Sequence, residues 1–95
     1  MNNNEKIDSV ATLKRIAPGT KLKLVRNLRG PQTDQVRVFE KARNKDIVFR
    51  VEGGMQHGEQ SYMPLAGIEV EPTERGFRIS NAGGGCLAEY EFIQP

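Results

Sequence analysis

Short runs that alternate apolar and polar side chains, separated by turn-forming residues, recur from residue 20 to residue 92. In TKLKLVR (20–26) lysine and leucine alternate strictly, so Leu22 and Leu24 share one face of an extended strand and Lys21 and Lys23 the other. A strand with one apolar face must bury it. A series of such strands joined by tight turns does so by curling on itself. QVRVFEKA (35–42) places Val36 and Val38 on one face and Arg37, Phe39 and Lys41 on the other, which is read as the outward one. RNKD (43–46) is a tight hairpin turn in which Asn44 tolerates a positive φ, and IVFRV (47–51) then turns Ile47, Phe49 and Val51 inward.

The pattern continues to the C-terminus. SYMPL and IEVE form short strands around Gly67, with Ile68 and Val70 inward and Glu69 and Glu71 outward. FRIS (77–80) sends Phe77 and Ile79 inward. CLAEYEF (86–92) sets Cys86, Ala88, Tyr90 and Phe92 on one face and Leu87, Glu89 and Glu91 on the other. The intervening RNLRGPQTD (26–34), EGGMQHGEQ (52–60), PTERG (72–76) and NAGGG (81–85) carry the glycine and proline that strand ladders reject. Ahead of the strands, Ile7, Val10, Leu13, Ile16 and Ala17 recur at helical spacing, and Pro18-Gly19 ends that pattern in a turn. The spacing predicts a helix over 5–16, after a frayed start at 1–4. The chain is thus expected to be a single domain, 1–95, of mainly β class. It reads as a small SH3-like barrel of about five to six antiparallel strands over 20–93 with one N-terminal α-helix; an OB-like barrel is the alternative.

Catalytic chemistry is poorly supplied. His57 is the single histidine and Cys86 the single cysteine, whereas a zinc site draws on about four ligands. Cys86 falls on the predicted inward face, where a thiol behaves as a small apolar group. The runs GGMQHG and NAGGG lack the Gly-Lys-Ser/Thr of a phosphate loop and the helix that follows one. The reading is therefore of a protein with no catalytic residues, no metal site and no cofactor. No apolar run approaches the length of a membrane span, the start MNNNEKID has no apolar signal segment, and a lone cysteine fits a reducing compartment. These point to the cytoplasm, with no membrane as partner.

Charge carries the functional signal. Residues 1–50 hold twelve Lys and Arg against five Asp and Glu, a net of +7; residues 51–95 hold two against seven, a net of −5. The basic residues fall on the first strand and its loop (Lys21, Lys23, Arg26, Arg29) and on the next hairpin (Arg37, Lys41, Arg43, Lys45, Arg50). If those strands are neighbours, outward side chains two residues apart are spaced by about 6–7 Å, a usable interval for successive phosphates. Phe39, between Arg37 and Lys41, would offer a face for base stacking, and Tyr62 could do the same beside the glycine-rich loop. The competing reading packs Phe39 beneath the helix, and strands of the two halves could pair and neutralise each other. The favoured expectation is non-enzymatic nucleic-acid binding through this surface. A second expectation uses the acidic half: Glu69, Glu71, Glu89 and Glu91 as an array that imitates phosphates on a host nucleic-acid-handling protein. A third joins basic and acidic halves of successive copies into a homo-oligomer.

APGTKLKLVRNLRGP, VRVFEKARNKDIVFRV and the later SYMPL resemble short proteins of phages and other mobile elements, a group generally predicted to be SH3-like β-barrels. The resemblance implies a setting, an accessory gene whose small barrel either binds nucleic acid or blocks a host defence machine. It assigns no residue a role.

Overall fold

The computed structural model describes residues 6–27 and 35–93. A single-turn helix, α1 (Val10–Leu13), precedes seven strands: β1 (Lys21–Asn27), β2 (Gln35–Ala42), β3 (Asp46–Glu52), β4 (Gln60–Pro64), β5 (Ile68–Pro72), β6 (Gly76–Asn81) and β7 (Cys86–Phe92). All pair antiparallel in one sheet of order β4-β3-β2-β1-β7-β6-β5. Two meanders, β1 to β4 and β5 to β7, are joined where the first strand pairs with the last. The fold is mainly β, as the alternation predicts. It has seven strands rather than five or six because SYMPL and IEVE are separate strands at opposite edges of the sheet, the chain passing from one to the other through a turn in which Gly67 takes φ 71°. The first then pairs with β3 and the second with β6.

The helix is much shorter than the spacing predicts. Ser9 caps it: its hydroxyl accepts from the Thr12 N–H while the Thr12 hydroxyl accepts from the Ser9 N–H, a reciprocal box that fixes the first turn at Val10. Beyond Lys14 the bonds tighten to Arg15 N–H to Thr12 and Ile16 N–H to Leu13, three residues apart, and the turn at Pro18 follows. The apolar residues still serve one purpose. Ile7, Leu13 and Ile16 are buried, but Ile7 reaches the core from the extended segment ahead of the cap.

Six strand spacings of about 4.8 Å would make a flat sheet about 29 Å wide and thin. The molecule instead measures 32 × 30 × 27 Å. Phe49 of β3 stacks on Tyr90 of β7 with centroids 5.4 Å apart, although β2 and β1 lie between those strands in the sheet. The sheet is therefore strongly curled, and its concave face is the core. A chain of rings crosses it: Phe39 meets Phe49 edge-on at 5.9 Å, Tyr90 stacks on Phe77 at 5.3 Å, and Phe77 meets Phe92 at 6.1 Å. Leu22, Leu24, Ile47 and Ile79 fill the remainder with the helix residues. Gly76 lets β6 approach β7, since a Cβ there would run into the Tyr90 carbonyl.

The outward reading of β2 is corrected. Leu22 stands opposite Arg37, and Phe39 opposite Phe49, so Arg37 and Phe39 share the concave face with the core; Phe39 is 1% exposed. Val36 and Val38 stand opposite Lys23 and Lys21 on the convex face. An irregularity between Phe39 and Lys41 then shifts the register, so that Lys41 is exposed outside while Ala42, opposite Ile47, packs against the core.

Candidate functional site

The strands that carry the predicted basic residues are indeed neighbours, but the sheet divides those residues among three situations. Along β1 the cations meet the acidic half of the chain. Lys21 Nζ lies 3.1 Å from Glu52 Oε1, Lys23 is in register with Glu91, and the exposed Arg26 is in register with Glu89. Arg29 lies outside the described residues. On β2, Arg37 and Phe39 face inward. Arg37 donates from Nε to Gln35 Oε1 at 3.0 Å and from Nη1 to the hydroxyl of the buried Tyr90 at 3.1 Å.

The third situation is the hairpin of β2 and β3 with the adjoining edge strand β4. Lys41, Val48 and Tyr62 form one row across the three strands, and Val38, Arg50 and Gln60 form another. At about 4.8 Å per strand, Lys41 and Tyr62 are roughly 10 Å apart. Arg43 grips Asp46 with both prongs, Nε to Oδ1 and Nη2 to Oδ2 at 2.6 Å each, which ties the two ends of the turn together. Its guanidinium also lies over the Tyr62 ring, 5.3 Å from the centroid. Arg50 binds Glu40 at 2.6 Å and donates to the Gly58 carbonyl, while Gln60 donates to the same carboxylate and accepts from the Tyr62 hydroxyl. Hydrogen bonds from Arg50 and then Gln60 hold Glu40 below the ordinary carboxylate pKa. Asp46 is lowered chiefly by its bond from Arg43.

This corner therefore carries four cations, Lys41, Arg43, Lys45 and Arg50, against two carboxylates, Glu40 and Asp46. Lys41 and Lys45 are exposed, and Tyr62 is 52% exposed. The bonds made by Arg43 and Arg50 do not neutralise the corner; they fix it as a rigid surface with cationic side chains around an aromatic ring. Tyr62 takes the position that the sequence pattern assigns to Phe39. Gln60, which orders both Tyr62 and Glu40, carries no signal in the sequence, because it lies in a segment read as loop.

The acidic set lies on β5 and β7, on either side of β6. Glu71 and Glu89 converge on one arginine, Arg78, at 3.2 Å each, and Glu91 shares its row with Lys23 and Gly76. Glu69 is exposed on the edge strand β5. His57 is turned into its own loop, where Nδ1 accepts from the Gly53 N–H at 2.7 Å, and the half-buried Cys86 thiol points to the Ala88 carbonyl. Among the described residues no three His, Cys, Asp or Glu side chains gather as metal ligands, and no helix is long and apolar enough to cross a membrane. No protein-family model matches the chain, and comparison with curated proteins and with solved structures finds no match.

Proposed function

We propose that this protein is an SH3-like barrel, elaborated to seven strands, that binds nucleic acid without catalysis through the convex corner of β2, β3 and β4. The observation that carries the reading is the grouping of exposed Lys41 and Lys45 with Arg43 beside the half-exposed Tyr62 ring. Lysines on a short, stiff hairpin meet successive phosphates, and an adjacent ring gives an unpaired base a face to stack on. The contact is to backbone and stacked base, so the protein reads little sequence. The phosphate-imitating alternative is less well supported, since Arg78 engages two of its four glutamates and offsets one of their charges, and Glu91 stands in register with Lys23.

Fluorescence anisotropy with labelled single-stranded and duplex oligonucleotides, titrated over salt concentration, tests this. With about three phosphates engaged, the log–log slope of affinity against salt on duplex is expected near −2.7. The double variant Lys41→Glu/Lys45→Glu is expected to lose at least about tenfold in affinity at low salt and to flatten the slope by about two. Tyr62→Ala is expected to weaken single-strand binding by about 1–3 kcal/mol and duplex binding by less. Absence of binding at low salt, or a charge-reversed protein that binds as the wild type does, overturns the proposal.

A further inference from the structure

The curl that buries the core leaves a seam between the two edge strands. β4 and β5 are not hydrogen-bonded to each other, yet only Leu65 to Gly67 separate them in the chain. Beneath the seam is a cleft of about 280 Å³, walled by Met63, Ile68, Leu87 and Ala88, with Arg37 and Tyr90 at its polar end. That volume is at the small end of ligand pockets.

The polar end is made of donors. A guanidinium has five N–H groups, of which Arg37 spends one on Gln35 and one on Tyr90. The Tyr90 oxygen accepts the second of these bonds, and its own proton finds no acceptor among the described residues, although the residue is 1% exposed. Among the described residues, the ion pairs of Lys21, Arg43, Arg50 and Arg78 take up carboxylates, and Arg37 is in none of them. A buried hydroxyl and a part-buried cation with bonds to give, and no anion to receive them, form an incomplete arrangement.

We propose that this cleft binds a small organic carboxylate with an apolar body, its two oxygens taking bonds from Arg37 and the Tyr90 hydroxyl and its hydrocarbon lying against Met63, Ile68 and Leu87. A carboxylate matches the single positive charge and the paired donors. A phosphate dianion would enter an apolar cleft with half its charge uncompensated, and a bare halide would leave the apolar walls unused. The burial of Tyr90 agrees with this: desolvation pushes its pKa above the ordinary value, so the hydroxyl keeps its proton and remains a donor. The cleft shares Tyr62 at its rim with the nucleic-acid corner, but its polar end, Arg37 and Tyr90, takes no part in that reading.

The test is a titration of the full-length protein with hexanoate and 4-phenylbutyrate, and with hexan-1-ol as the neutral control. It is followed by the arginine Nε–H and backbone amide resonances in 1H–15N spectra. Binding with a Kd on the order of 1 mM or tighter is expected for ligands of this size, with shifts at Arg37, Leu87 and Ala88. Tyr90→Phe keeps the ring and is expected to weaken the carboxylates several-fold. Arg37→Gln is expected to weaken them at least about tenfold. Ala66→Phe alters an exposed residue at the rim of the cleft, fills it without touching the core, and is expected to abolish binding with the spectrum otherwise intact. Equal affinity for hexan-1-ol, the absence of shifts at Arg37, or a folded Ala66→Phe protein that binds like the wild type overturns the proposal.

Discussion

Phe39 shows how one side chain decides between two readings of the same strand. As an exposed ring among cations it would be a stacking residue, and its removal would cost binding and leave stability untouched. As the structure has it, the ring meets Phe49 edge-on in the core. Phe39→Ala is therefore expected to destabilise the fold by about 3–5 kcal/mol, the transfer term plus the cavity left behind. That is a large share of the roughly 5–15 kcal/mol that holds a domain together. A urea titration checks it, and a midpoint like that of the wild type would return Phe39 to the surface. Arg37 offers the converse lesson. Its alternation with Phe39 was visible, but a cation on a concave face is acceptable only because the Tyr90 hydroxyl and Gln35 receive its bonds, and Tyr90 is remote from it in sequence and in strand.

Elements are fixed here by their ends. A helix of four residues has almost no internal hydrogen bonding to sustain it, so α1 persists through its cap and through the burial of Leu13. Ser9→Ala removes the hydroxyl that satisfies the Thr12 N–H and is expected to cost about 1 kcal/mol. The change should be seen as a lowered urea midpoint with an unchanged slope. The β2–β3 hairpin is clamped in a similar way, at the turn by Arg43 on Asp46 and along its convex face by Arg50 on Glu40. Both carboxylates have their pKa lowered by the folded state. A depressed pKa contributes stability that is present above the unfolded-state value and is lost as pH falls through the folded one. The pairs are expected to survive below the ordinary values of 4.5 for Glu40 and 3.8 for Asp46, then to fail in stronger acid. Carbon-detected titration of the two side chains should give midpoints below those values. The double variant Glu40→Gln/Asp46→Asn should flatten the acid limb of a stability-against-pH curve.

At the scale of the whole molecule, the +7 and −5 halves meet where β1 pairs with β7, which sets Lys23 beside Glu91 and Arg26 beside Glu89. What remains for a polyanion lies at the β4 side of the sheet, away from that junction. The salt dependence expected of nucleic-acid binding is accordingly modest, near three phosphates rather than the larger number that the full basic inventory suggests. The same curl that joins the halves also creates the seam, because a linear order of strands leaves two edges that approach without a ladder between them.

By itself the sequence determined what is local and periodic. Two-residue alternation and turn residues located the strand segments, and the burial of Leu22, Leu24, Ile47, Phe49, Val51, Phe77 and Ile79 follows directly from it, whereas that of Val48, Gly76 and Ser80 does not. It also placed the cations on the first strand with its loop and on the next hairpin, as one surface on condition that those strands adjoin. Only the tertiary structure decided the phase of β2, since strict alternation places Phe39 and Lys41 together and the register shift between them separates the two. It also decided which cations keep their charge to offer, because Glu52, Glu89 and Glu91 reach β1 only through pairings between distant parts of the chain. The Arg37–Tyr90 contact spans fifty-three positions in the chain. Spacing along a sequence specifies which face a residue takes within its own strand; the partner it meets there is set by how the strands are ordered and how far the sheet curls.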